Sequence, residues 1–325
     1  MKNGAFIISL DFELYWGVRD TRSIEAYGDH ILGVQKVIPV LLDLFERYNI
    51  KATFATVGFL FCSGKDELLE SFPTAFPSYH NSLLSPYNGY IKSLGKNETE
   101  DPYHFAPSLI RMIMQKEQHE IATHTFSHYY CLEEGQTAEQ FQADLVAAKK
   151  SAKKIGVEFK SIVFPRNQYH SEYLQICRTE GLTAFRGNED SWLYNPRSRG
   201  DESLVRRALR LLDSYVNISG VHTHFPGVEK ELCNIPSSRF LRPYNTRLAI
   251  FDGLKLNRIK KQMTSAAAGK QLFHLWFHPH NFGTHLNQNV NFLEQVLIHF
   301  QSLQNEKEFA SMTMNEVASD YFSSN

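Results

Sequence analysis

Three strings in this chain carry groups that could bind a cation or move a proton. Ser9-Leu10-Asp11-Phe12-Glu13 closes an apolar run near the start, and Thr123-His124-Thr125-Phe126-Ser127-His128 closes another. Far downstream lies His274-Leu275-Trp276-Phe277-His278-Pro279-His280-Asn281-Phe282. Asp11 and Glu13 are two apart at a strand end, so both point one way and Phe12 points the other. Two carboxylates side by side after an apolar run repel unless a cation lies between them. A carboxylate with two imidazoles is a ligand set for a divalent metal. The second carboxylate and a separate His would then be free for proton transfer.

The single strings are weak signals. Asp11 and Glu13 alone read equally as a solvated loop start. The chain has 14 His, which by chance gives roughly half a pair spaced four apart, so His124 and His128 say little without context. His119-Glu120 begins like a zincin helix, but the next His falls at 124, off the shared face, so that reading is rejected. Phe164-Pro165-Arg166-Asn167 follows an apolar run; Arg166 could hold a carboxylate bidentately or lie on the surface. His222 and His224 are pocket-lining groups or satisfied core residues. His278 is preferred for the site, because His274 lies within the strand and is expected to be buried. There is no G-x-S-x-G elbow, no G-x-G-x-x-G after the first strand, and no phosphate loop around Gly64-Lys65-Asp66.

Elements must bring these strings together. Apolar runs over 5–10, 52–57, 120–123, 161–164, 183–185, 218–221 and 272–277 predict seven strands. Helical periodicity predicts helices over 31–48, 137–154, 171–180 and 290–304, the second opening with a capping-box start at Thr137. Strand–helix alternation argues a parallel sheet with crossovers, and seven such units nearly close a barrel, with the chemistry at the C-terminal strand ends. Asp11, His124, Arg166, His222 and His278 fall at such ends. Residues 62–108, with five prolines and no clear period, predict a long insertion forming a wall or lid of the site.

Composition narrows the class. The 325 residues are 42% hydrophobic and 21% charged with a net charge of −1, which offers no sequence-wide field for nucleic acid or an anionic surface. Cys62, Cys131, Cys177 and Cys233 form no C-x-x-C, excluding a thiolate zinc site. The first apolar run is too short for a signal-peptide core, and no segment approaches ~20 apolar residues, so a cytoplasmic protein without a membrane span is expected.

Taken together, D-x-E, H-T-x-x-H, F-P-R-N and L-W-x-H-P resemble the NodB-homology polysaccharide deacetylases, carbohydrate esterase family 4. The similarity spans residue 5 to the Met314-Asn315-Glu316-Val317-Ala318 tail. The resemblance implies an α/β fold, a distorted (β/α)7 barrel, as one domain over 1–325 with the insertion. It implies one divalent metal, with zinc the expected ion, held by Glu13, His124 and His128. It matches Asp11 to the catalytic base, Arg166 to the arginine that orients it, and His278 to the acid. Trp276, Asn281, Asn167 and His222 are the expected substrate contacts, and Asp190-Ser191-Trp192 echoes the motif supporting the acid. The usual first motif has two adjacent acids; here Phe12 intervenes, as in a divergent branch that includes small-molecule amide hydrolases. The implied function is removal of an N-acetyl or other N-acyl group from a sugar, free, nucleotide-linked or lipid-linked, in surface polysaccharide biosynthesis. The alternatives are another amide or formamide hydrolase of this fold, or an inactive sugar-binding member.

Overall fold

The first strand is buried along its whole length, and the sheet is built outward from it. The computed structural model describes residues 3–195, 198 and 203–324. Strand β1 (Ala5–Phe12) pairs in parallel with β2 (Ala52–Thr56), β9 (Leu272–Phe277) and, at its start, β10 (Ala310–Ser311). Beyond β2 lie β3 (Glu120–Thr123), β4 (Ser161–Ile162), β5 (Ala184–Phe185), β7 (Leu232–Asn234) and β6 (Gly227–Glu229); beyond β9 lies β8 (Arg239–Phe240). Among the described strands only the β6–β7 pair is antiparallel.

Continuous apolar runs such as Ala5-Phe6-Ile7-Ile8 suit a parallel sheet covered on both faces. The two faces of β1 go to different places. Ala5 and Ile7 join Ala55, Ala122, Val163, Ala184 and Cys233 in one cluster, small side chains that fit the inside of a curled sheet. Phe6, Ile8, Leu10 and Phe12 face a larger cluster shared with the surrounding helices. Helix α10 (Met314–Ser324) adds Met314, Val317 and Ala318 to the interior cluster. The segment after β7 joins the two sides of the curl: Ser237 N–H donates to Gly187 O at 2.9 Å, and Ser238 N–H to His274 O at 2.8 Å. The result is the distorted parallel barrel that the motifs implied.

The helices outside follow in chain order: α1 (Ile24–Leu32), α2 (Val34–Arg47), α3 (Lys65–Glu70), α4 (Pro107–Met114), α5 (Ala138–Lys154), α6 (Ser171–Thr179), α7 (Leu204–Asp213), α8 (Asp252–Gly269) and α9 (Leu286–Lys307). The capping box is present: Thr137 accepts from Gln140 N–H, and Gln140 caps Thr137 N–H.

Three expectations need correction. The helix expected over 31–48 is two helices meeting at Gly33. There the chain touches Gly283, and a Cβ on Gly33 would lie 2.2 Å from Gly283 O. The strand expected over 218–221 is a loop, because Asp213 takes the Ile218 and Ser219 N–H groups that a ladder would need, at 2.9 and 2.8 Å. Residues 62–108 are not structureless; they hold α3, short 3-10 turns and buried Leu68, Leu84, Ile91 and Leu94.

His119 ties this sheet to pH. Its Nδ1 accepts from Ala52 N–H, the first residue of β2, at 3.2 Å, and its ring packs edge-on against Phe45 and Phe54. Burial, with Lys116 nearby, pushes its pKa from 6.5 down to about 4. The folded state therefore disfavours the proton: the contribution to stability is complete above the unfolded value and is lost as pH falls from about 6.5 through about 4. Urea midpoints at pH 7.5 and pH 5 should fall further for the wild type than for His119→Gln. Equal falls would show that His119 does not carry this linkage.

Candidate active site

Glu13, His124 and His128 meet at the C-terminal ends of β1 and β3. Their ligand-type atoms all lie within 4.8 Å of one another, and all three residues are buried. Glu13 Oε2 is 3.0 Å from His128 Nε2 and 3.4 Å from His124 Nε2. Burial alone would raise the Glu13 carboxyl, but His278, His124 and His128 outweigh it and hold it well below the usual carboxylate range.

The donor set fits a divalent cation. His124 Nδ1–H donates to Val163 O at 2.8 Å, which leaves the Nε2 lone pair facing Glu13. That Nε2 is buried without a hydrogen-bond partner. An unpartnered imidazole nitrogen beside an ionised carboxylate and a second imidazole is what a bound cation would satisfy.

Local backbone shape aims these groups. Thr125 and His128 adopt left-handed φ of 63° and 59°, conformations that cost about 1–3 kcal/mol and need surrounding support. Asp144, buried on α5, gives that support: it accepts from Phe126 N–H at 2.6 Å, Ser127 N–H at 3.1 Å and the Ser127 hydroxyl. Burial pushes its carboxyl up to about 7 against those donors. Glu13 is seated by Gly17, where a Cβ would lie 2.0 Å from the Glu13 carboxylate.

Asp11 is held by an arginine, but not by Arg166. Arg186, directly after β5, donates to both Asp11 oxygens, at 2.6 and 2.8 Å, with both side chains buried. Burial would raise the Asp11 carboxyl; Arg186 outweighs it and the pKa falls. Arg166 goes elsewhere because it and Asn167 turn left-handed, with φ of 55° and 54°. Arg166 pairs with Asp20 and Glu133 and lies over the Tyr130 ring at 4.0 Å. Asn167, expected to meet substrate, instead accepts from Arg186 Nη2 at 2.8 Å and so positions the guanidinium. Trp276 covers the other side of Arg186, 4.3 Å from ring centroid to guanidinium carbon.

His278 lies on the open side, its side chain 22% exposed. Its Nε2 is 3.8 Å from Asp11 and 3.6 Å from Glu13. Asn281 Nδ2 donates to its Nδ1 at 3.3 Å, so this residue, expected on substrate, orients the imidazole. Pro279 does not turn His280 away: the two rings stack at 5.0 Å, and His280 Nδ1 is 3.9 Å from Glu13. His280 is buried, and its pKa is pushed down to about 3 by burial and by His278. His274 is buried as expected, its Nε2 accepting from the Ser9 hydroxyl at 2.8 Å. His222 is not at this site. It is bonded to Ser219 at 2.7 Å and packs edge-on to Tyr194, near the Asp213–Arg239 pair. Asp190-Ser191-Trp192 does not support His278 either; Trp192 is exposed.

Residues 62–108 clamp the loops that follow Glu13 and His128. Tyr15 N–H donates to Tyr103 O at 3.2 Å, Trp16 Nε1–H to His104 O at 2.9 Å, and Tyr130 N–H to the Tyr79 hydroxyl at 2.8 Å.

Sequence reasoning missed Arg186, Asp144 and Gly17. Arg186 directly follows β5 and Arg166 lies in the turn Pro165–Asn167 beyond β4, and nothing in the local sequence ranks one above the other. Asp144 could have been noticed as an acid on the apolar stripe of Phe141, Leu145 and Ala148.

The site is thus a buried carboxylate and two imidazoles at the strand ends of a curled parallel barrel. Residues 28–185, just under half of the chain, match the family model described as polysaccharide deacetylase. The match includes His124 and His128 and stops short of Asp11, Glu13, Arg186 and His278. Comparison with curated proteins gave no sequence match. Among solved structures, one from Mycobacterium smegmatis described as a polysaccharide deacetylase is 13% identical, with TM-score 0.64, covering 100% of this chain and 93% of that one. A Pseudomonas aeruginosa PAO1 structure with the same description is 11% identical, with TM-score 0.55, covering 97% and 88%. PuuE allantoinase is 10% identical, with TM-score 0.56, covering 98% and 89%. At these identities the structural likenesses establish the fold.

Gly17→Ala should push the Glu13 carboxylate out of its seat. Calorimetric titration with Zn²⁺ should show affinity reduced about 10–100-fold, the scale for disturbing a ligand's support. Unchanged affinity would mean that Glu13 is not a ligand.

Proposed function

We propose that this protein is a divalent-metal-dependent N-deacetylase acting on an N-acylated sugar in surface polysaccharide biosynthesis. The observation that carries the reading is the pairing of two arrangements. Glu13, His124 and His128 converge around an unpartnered imidazole nitrogen, and Asp11 is kept ionised beside them by Arg186.

Glu13, His124 and His128 would hold the cation, and two imidazoles with one carboxylate suit zinc. When bound, such an ion polarises an acyl carbonyl and lowers the pKa of water toward ~7. The chain's own groups do the rest. Asp11 is ionised and fixed by two hydrogen bonds, so a carboxylate oxygen is ready to take a proton from attacking water. Arg186 keeps that oxygen aimed, and Asn167 and Trp276 hold Arg186. His278, more exposed than its neighbour and oriented by Asn281, donates a proton at Nε2 to the leaving nitrogen as the C–N bond breaks. His280, buried and neutral, is poorly placed for that work. The sugar enters past Trp276 and His278, with the aromatic residues of 62–108 walling the loops beyond Glu13 and His128.

Metal-loaded protein should release amine from N-acetylated sugars, whether free, nucleotide-linked or lipid-linked, and a chelator should abolish the release. Turnover of the ureide allantoin without turnover of any N-acetyl sugar would replace this reading with a small-amide hydrolase. Asp11→Asn should keep metal binding and lose ~10²–10⁴ in kcat. Loss of metal with full turnover per bound ion would exchange the roles of Asp11 and Glu13.

His278→Ala should retain metal and slow amide hydrolysis far more than hydrolysis of an activated ester, whose leaving group needs no proton. Equal losses on both substrates would show that His278 binds substrate rather than protonating the leaving group.

A further inference from the structure

Helix α7 is packed inside out. At 100° per residue, Leu204, Val205, Ala208, Leu211 and Leu212 share one face, and Arg206, Arg207, Arg210 and Asp213 share the other. A surface helix normally buries the apolar face. Here Arg206 and Asp213 of the polar face are inward, while Arg207 stays exposed. Arg206 is buried and donates to the carbonyls of Leu193 at 3.0 Å and of Trp192 and Asn195, both at 2.7 Å. Asp213 is fully buried, ion-paired with Arg239 at 3.1 Å and Arg258 at 2.9 Å, and bonded by the Tyr194 hydroxyl at 2.8 Å. These bonds fix the helix's rotation.

The apolar face is therefore left in water. Leu204 is 78% exposed, Val205 70% and Leu212 50%. Val216 beyond the helix end, and Trp192, whose carbonyl Arg206 holds, are exposed as well. An apolar helix face left in water in this way marks a contact with something outside the chain.

Charge decides between occupants. Arg207 is exposed beside the apolar face, while the helix's one acid is consumed in buried ion pairs. Apolar side chains flanked by arginine match a bilayer surface, where acyl chains receive the first and anionic phosphates the second. A two-fold pairing of this face with a second copy would set like charges of the two helices near each other, which opposes that arrangement. We infer that α7 docks this protein on an anionic lipid surface. The inference stands independently of the deacetylase reading.

The test is co-sedimentation of the full-length chain with phosphatidylcholine vesicles, with and without about one third phosphatidylglycerol. The wild type should sediment with the anionic vesicles and be released by salt. Leu204→Asp with Leu212→Asp should weaken that partition at least ~10-fold, with melting temperature and Zn²⁺ affinity unchanged. Arg207→Glu, a single exposed change, should weaken it several-fold. Wild type that stays in solution with anionic vesicles overturns the proposal, as does a double variant that still sediments. A wild-type dimer that the double variant dissociates, without vesicle binding, would make a second copy the occupant. A lowered melting temperature in the double variant would show that the face is internal packing.

Discussion

Two carboxylates have to remain ionised at the end of one buried strand, and much of the site follows from that requirement. An isolated buried carboxylate is costly and would take up a proton instead. Asp11 is relieved by the Arg186 guanidinium, which meets both its oxygens. Glu13 instead faces imidazole nitrogens, in the arrangement that a cation would complete. The two solutions differ in what they leave free. A bidentate arginine fixes a carboxylate in place while leaving lone pairs for a proton. Imidazoles surround the other carboxylate in an arrangement suited to coordination.

Arg186 in turn needs its own support, because a buried guanidinium has five donors to satisfy. Asn167 and the Ser9 hydroxyl accept from it, and the Trp276 ring covers it. Ser9 then donates to His274, whose other nitrogen faces Ile235 O at 3.3 Å. The chain of contacts thus runs from the site down the inside of the barrel to the 235–238 segment that joins its two sides. Closing the barrel and fixing the Asp11 carboxylate use connected residues.

Backbone strain gathers around this network. Leu14, Thr125, His128, Arg166 and Asn167 all have left-handed φ, and such residues persist where neighbours over-determine them. Asp144 ties down the imidazole loop from a helix outside the sheet, and the 62–108 segment clamps the loops after Glu13 and His128. The helix α7 shows the same economy in reverse. Its buried arginine and aspartate set its rotation, and its apolar face is turned outward as a consequence.

The sequence by itself determined the strand–helix alternation, the buried first strand, the capping box at Thr137 and the gathering of the Asp11–Glu13 and His124–His128 strings. Each rests on local chemistry or on the rule that parallel strands gather their C-terminal ends. The choice of Glu13 over Asp11 beside the imidazoles came from the family resemblance. Tertiary structure alone decided which arginine meets Asp11. Arg166 and Arg186 both follow neighbouring strands, and a left-handed turn at 166–167 sends the first outward while the second points into the barrel. It likewise decided that Asn167 and Asn281 hold other side chains in place, that His222 belongs to the Asp213 cluster, and that residues 218–221 form a loop. Arg186 reaches Asp11 and Asn167 across the barrel, whereas Asn281, His222 and the 218–219 amides are claimed by groups three to six residues away, in geometries that only the folded backbone fixes.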